Sequence, residues 1–102
     1  MHPAVTTHLE GIAAICRQHQ IRRLDVFGSA ARASDFDAGR SDVDFVLEFE
    51  PGARPDLETY FSAKAALERL LGREVDLVEL GALRNPFLRC EIERQRETVY
   101  ES

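Results

Sequence analysis

Asp42-Val43-Asp44-Phe45-Val46-Leu47-Glu48-Phe49 is the stretch on which the fold turns. Val43, Phe45, Leu47 and Phe49 alternate with Asp42, Asp44, Val46 and Glu48, and a side-chain period of two marks a strand with one buried face. The alternation returns at Glu74-Val75-Asp76-Leu77-Val78-Glu79. Leu24 to Phe27, preceded by Ile21, has the β-branched and aromatic content of a third strand, which Gly28-Ser29 ends. Thr98-Val99-Tyr100 adds a short closing strand.

Between these segments the period lengthens. Val5, Leu9, Ile12, Ala13 and Cys16 fall on one helical face and predict an amphipathic helix over 4–19, with Thr6 or Thr7 as its cap and Glu10 near its start. Ser29 to Ala33 reads as one or two helical turns, and residues 34–41 carry turn chemistry. Asp56 is placed to cap a helix containing Leu57, Tyr60, Phe61, Ala65, Leu67, Leu70 and Leu71, which Gly72 stops. Leu57, Tyr60, Phe61 and Leu67 are expected in the core. Asn85-Pro86 opens a final helix that runs to about Arg96. The order α-β-α-β-α-β-α predicts an α/β fold, with residues 1–102 as a single domain.

Composition narrows the function. The hydrophobic share of 44% is too high for a disordered chain. Eighteen acidic against thirteen basic residues give a net charge of −5, which argues against phosphate-tracking contact with nucleic acid. No apolar run is long enough for a membrane span, and Met1-His2-Pro3-Ala4 lacks the form of a signal peptide. Cys16 and Cys90 have no metal-ligand or redox spacing, so reduced thiols in a cytoplasmic protein are expected. A bridge between them is the alternative, and nothing in the sequence favours it.

Three features carry chemistry. Gly28-Ser29 joins a strand to a helix, where a glycine backbone and free helical N–H groups favour an anion; a tight turn with a capping serine is the plainer reading. Asp42 and Asp44 share one face of a strand, where like charges repel unless solvent or a hard cation such as Mg²⁺ offsets them. A solvated strand end is the alternative there. Asp76 lies within an apolar strand, and if that strand neighbours Asp42 and Asp44, three carboxylates converge. An exposed sheet face remains the other reading. Taken together, a phosphate cradle, a carboxylate pair and a third carboxylate form the parts list of metal-assisted nucleotidyl transfer.

These residues resemble the signature of the DNA polymerase β-like nucleotidyltransferases: Gly-Ser, roughly ten residues, Asp-x-Asp, and a third Asp on a later strand. Here the pattern is Gly28-Ser29, twelve residues, Asp42-Val43-Asp44, then Asp76. Within that superfamily, Gly28-Ser29-Ala30-Ala31-Arg32-Ala33 and Ser41-Asp42-Val43-Asp44 are similar to the minimal nucleotidyltransferase (MNT) antitoxins. Ala33 stands where that group often has Gly, and the loop before Asp42 is longer than in that group by about two residues. The tail from Asn85 to Glu101 is also similar.

The resemblance implies a small mixed β-sheet flanked by helices, and an antitoxin of a type VII-like toxin–antitoxin pair. It implies transfer of AMP from ATP to a tyrosine hydroxyl of a HEPN ribonuclease toxin. Asp42, Asp44 and Asp76 would hold two Mg²⁺ ions, with Asp76 helping to deprotonate the acceptor. Gly28 and Ser29 would hold the triphosphate, and Arg32 would reach a phosphate or pair with Asp35 or Asp37. A chain of this length leaves no room for an acceptor pocket, so the acceptor is expected on a partner protein. The acidic balance fits a basic partner. A purely steric antitoxin and a small-molecule nucleotidyltransferase are the competing expectations.

Other features are assigned no chemistry. His2, His8 and His19 are expected to be solvated or capping, and Arg22-Arg23 to form a polar edge to the first strand. The run Arg89 to Glu97 alternates charge and reads as a solvated helical face, with a toxin-docking surface as its alternative.

Overall fold

The computed structural model describes residues 3–28 and 43–102. The expected short helix at 29–33, the loop at 34–41, and Ser29, Arg32 and Asp42 lie outside the described residues, as do Met1 and His2. Four helices are described: α1 (Pro3–Thr6), α2 (Leu9–Gln18), α3 (Leu57–Leu71) and α4 (Pro86–Gln95). The strands are β1 (Ile21–Phe27), β2 (Val43–Phe49), β3 (Val75–Glu79) and β4 (Glu97–Glu101), with a 3-10 turn at Leu80–Ala82 after β3.

The strands form one mixed sheet in the order β3-β2-β1-β4. β1 is antiparallel to both β2 and β4, while β2 and β3 run parallel across the α3 connection. That parallel pair requires a long crossover, which α3 supplies. Asp56 caps α3 by accepting from the Thr59 N–H at 2.8 Å, and Gly72 ends it in the left-handed region at φ 70°. Asn85 caps α4 through the N–H groups of Phe87 and Leu88. These boundaries match the residue chemistry read from the sequence.

Alternation decides what lies on each sheet face. Leu24 and Val26 of β1, Val43, Phe45 and Leu47 of β2, and Val75 and Leu77 of β3 are buried under α1, α2 and α3 in the main core. The opposite face carries a smaller cluster of Val46, Leu80 and Ile92 with Phe27 and Leu83 against it. Val46 is the alternating residue that is also buried, because Ile92 of α4 covers it.

Several expectations change. The helix predicted over 4–19 is two helices, α1 and α2, separated at Thr7-His8. The Thr7 hydroxyl donates to the Pro3 carbonyl at 2.8 Å instead of capping, and α2 begins after His8 with no side-chain cap. The break also rotates Leu9 off the buried face, leaving it 40% exposed beside fully buried Val5, Ile12 and Cys16. Leu67 is core and Tyr60 half-buried, but Leu57 and Phe61 are exposed. Ala63, Leu67 and Leu71 define the inward arc of α3, and at about 100° per residue Leu57 and Phe61 point about 80° and 120° from its centre.

The two cysteines are free, Cys16 buried and Cys90 exposed. Burial pushes the Cys16 thiol up to about 12, with Arg17 pulling weakly the other way. No helix among the described residues is long and apolar enough to cross a membrane.

Candidate active site

The parallel register places Asp44 of β2 directly beside Asp76 of β3. Adjacent strands lie about 4.8 Å apart, and both residues point to the face away from the main core, so the two carboxylates stand side by side. Across the antiparallel pairing, Phe27 of β1 is the partner of Asp44 on its other flank. One row therefore runs Phe27, Asp44, Asp76 across three strands at the end of β1 and the start of β2 and β3.

Gly28 follows Phe27 with a φ of +72°, a conformation that side chains other than glycine rarely adopt. A Cβ at this position would meet Asp44 Oδ2 at 2.7 Å. The absence of a side chain lets the backbone turn close against the carboxylate, so glycine is required here for two separate reasons. Asp44 is half-buried and Asp76 is exposed, so the row opens to solvent on its β3 side.

Of the six residues singled out by sequence, Gly28, Asp44 and Asp76 are thus brought together. Asp42, Ser29 and Arg32 lie outside the described residues. Among the described residues no group of three His, Cys, Asp or Glu side chains could hold a metal ion. Asp44 and Asp76 alone supply two adjacent hard oxygen donors, which suit a divalent cation of the Mg²⁺ type that takes one or two carboxylates and completes its shell with phosphate and water.

A second charged group on the same face escaped the sequence reading. Asp25, only 1% exposed, is the partner of Val46 across the β1–β2 ladder. Its carboxylate accepts from Arg23 Nε at 3.1 Å on both oxygens and pairs with Arg96 Nε at 3.2 Å. Arg96 also approaches Glu48 and Glu93, Arg22 binds Glu48 at 3.0 Å, and Arg23 reaches Glu101 and the Thr98 hydroxyl. The Arg23 guanidinium is held above its ordinary value, chiefly by its hydrogen bonds to Asp25.

Two expectations are corrected by this network. Arg22 and Arg23 are not an edge, since β1 lies between β2 and β4, and both are spent on ion pairs. The Arg89–Glu97 run is solvated only in part: Arg94 pairs with Glu91 on the surface, but Ile92 is buried and Arg96 turns inward to Asp25. His19 does act as a cap, its Nδ1 donating to the Ile15 carbonyl at 2.7 Å while Nε2 meets the Ser62 hydroxyl at 3.1 Å.

A mixed sheet that presents register-matched aspartates beside a glycine turn is the architecture of a nucleotidyltransferase core. The family model described as Polymerase beta, Nucleotidyltransferase matches residues 10–102, and the chain belongs to that family. Two proteins of Methanocaldococcus jannaschii, each described as a candidate protein adenylyltransferase, are 36% and 30% identical over 76 residues, which is 74% of this chain and of each relative. A solved structure described as a candidate minimal nucleotidyltransferase superposes with a TM-score of 0.77 at 34% identity, covering 95% of both chains. More distant in sequence, at 17% identity, is a chain from the complex of a tri-AMPylated Shewanella oneidensis HEPN toxin with an MNT antitoxin. It has the same fold, with a TM-score of 0.68 over 95% of this chain and 72% of that one.

Proposed function

We propose that this chain is an adenylyltransferase that moves AMP from ATP to a tyrosine hydroxyl of a HEPN-domain ribonuclease toxin, and so acts as its antitoxin. The observation that carries the reading is the in-register Asp44–Asp76 pair with Gly28 pressed against Asp44. Family membership and the relatives described as adenylyltransferases support the reaction class. The toxin–antitoxin complexes that share the fold support the partner.

In this reading residues 1–102 form one nucleotidyltransferase domain. Gly28 and Ser29 hold the triphosphate through backbone N–H groups and a hydroxyl, and Arg32 reaches a phosphate. Asp42, Asp44 and Asp76 would hold two Mg²⁺ ions, which would supply positive charge to offset that of the triphosphate. The acceptor oxygen bonds to the α-phosphorus, the bond from that phosphorus to the bridging oxygen breaks, and pyrophosphate leaves. Asp76, exposed on β3, helps to deprotonate the acceptor hydroxyl and takes up its proton. Phe27 flanks Asp44 on its other side.

The test combines the purified chain with ATP, Mg²⁺ and a HEPN-domain protein from the adjacent reading frame. Intact-mass spectrometry is expected to record AMP added to the toxin, and Asp44→Asn with Asp76→Asn to abolish it. No adduct with the wild-type chain would defeat the proposal. An Asp44→Asn, Asp76→Asn chain that still neutralises the toxin would leave steric binding as the mode of inhibition.

A further inference from the structure

At the far end of β2 and β3 from the acid pair lies a groove of about 560 Å³ lined by Phe49, Pro55, Leu57, Tyr60, Leu77 and Glu79. Phe49 is five positions from Asp44 on β2, and although Leu77 directly follows Asp76 on β3, it points to the opposite face, so the groove and the acid pair lie on opposite faces of the sheet. Beside it, Leu57 is 75% and Phe61 58% exposed. Phe61 packs edge-on against Tyr60 with ring centroids 5.1 Å apart, which joins the exposed stripe of α3 to the groove wall. Large apolar side chains exposed next to a concavity of ligand-binding size mark an interaction surface.

The rim is acidic. Asp56 and Glu79 line the groove, and Glu58 follows on the first turn of α3. A second copy of this chain is a poor occupant, because a two-fold contact brings the same carboxylates against each other. An anionic lipid surface is repelled for the same reason. Strand addition is also disfavoured, since α3 side chains already engage the outer edge of β3. The Val75 N–H donates to Glu68 at 3.2 Å, and the Tyr60 hydroxyl donates to the Leu77 carbonyl. What fits is an apolar side chain flanked by cations.

We propose that this groove docks the acceptor protein through an apolar anchor residue flanked by lysine or arginine, at a site separate from the one that transfers AMP. The inference rests on the reading that the acceptor is a protein. Docking at a distance raises the local concentration of the acceptor hydroxyl without occupying the nucleotide site.

Two synthetic peptides test it, identical in a Phe-Leu anchor but flanked by lysines in one and glutamates in the other, titrated into the ¹⁵N-labelled chain. The lysine peptide is expected to bind at least about tenfold tighter and to shift the amides of Phe49, Leu57, Phe61 and Glu79 but not those of Gly28 and Asp44. Leu57→Ser with Phe61→Ser, both on exposed positions, is expected to cut that affinity about tenfold while ATP binding holds. Glu79→Lys is expected to erase the preference for the lysine peptide. Equal binding of both peptides, or shifts elsewhere, overturns the proposal. So does a concentration-dependent dimer in sedimentation that Phe61→Ser disperses, since the occupant is then a second copy. Loss of AMP transfer with the peptide result intact removes the functional reading and leaves the groove as a docking site.

Discussion

Two groups of charge share one sheet face and are held in opposite ways. Asp25 is buried, and Arg23 and Arg96 close on it from two elements, so its charge is balanced within the protein. Asp44 and Asp76 stand in register on neighbouring strands, like charge beside like charge, and Asp76 faces solvent. Val46, packed with Leu80 and Ile92, lies between Asp44 and Glu48 on this face of β2. The difference separates a structural role from a functional one. A carboxylate closed over by two guanidiniums has little left to offer a ligand, whereas two carboxylates side by side with one open to solvent present adjacent oxygen donors to an incoming cation.

The sharpest way to break that comparison is to neutralise the acid pair. Asp44→Asn with Asp76→Asn is expected to lower AMP transfer by a factor on the order of 10³. Its unfolding free energy in urea should stay within about 1 kcal/mol of wild type, because Asp76 is exposed and Asp44 only half-buried. A large loss of stability in that variant would place the pair among the structural charges and undo the contrast.

Asp25→Ala is the reciprocal experiment. It removes the buried acceptor that Arg23 and Arg96 share and leaves them only Glu101, Glu48 and Glu93, and loss of one partner of a buried pair costs up to about 3 kcal/mol. Urea denaturation is expected to record that loss, while transfer per folded molecule is retained. If stability holds and transfer falls, Asp25 belongs to the site and the division fails.

The acid pair was legible in the sequence and the buried network was not, for a physical reason. Asp44 and Asp76 each sit between two apolar strand residues, Val43 and Phe45 or Val75 and Leu77, so local period assigns their face, and parallel pairing across α3 then brings them into register. Asp25 sits inside a short segment read for its apolar residues, and its partner Arg96 comes from the end of a distant helix. No local period encodes that contact. Arg96 looked like one more charge on a solvated face, because alternating charge on α4 hides which residue turns inward. Leu57 and Phe61 were misread for a related reason: hydrophobicity fixes that a residue can be buried, but the arc set by Ala63, Leu67 and Leu71 decides whether it is. The break between α1 and α2 likewise depends on Thr7 bonding back to Pro3, which a helical spacing of apolar residues does not register.

Gly28→Ala sharpens the contrast at a smaller scale. Forcing a side chain into the left-handed region costs about 1 kcal/mol, and the new Cβ would lie 2.7 Å from Asp44 Oδ2. The carboxylate has to move, so transfer is expected to fall by more than stability does. A thermal melt paired with a transfer assay checks this. Equal losses in the two would mean that the turn, and not the placement of Asp44, is what glycine protects.

The smallest effect concerns a carboxylate held in a third way. Asp56 is fully exposed, and the backbone N–H and hydroxyl of Thr59 hold its carboxyl below the ordinary value of 3.8. A carboxyl lowered on folding contributes stability that is present above the unfolded value and is lost as pH falls through the folded one. Asp56→Ala is therefore expected to melt at a lower temperature than wild type at neutral pH, with the gap closing once the pH drops below 3.8. The same substitution removes one charge from the groove rim, so the lysine peptide should bind more weakly to it at neutral pH. Transfer of AMP onto an acceptor that needs no docking should be unchanged, because Asp56 lies at the opposite end of the sheet from Asp44. A melting gap that persists unchanged into acid would show that the Asp56 charge contributes nothing to the cap. Charge would then matter on this protein only where carboxylates face arginine or one another.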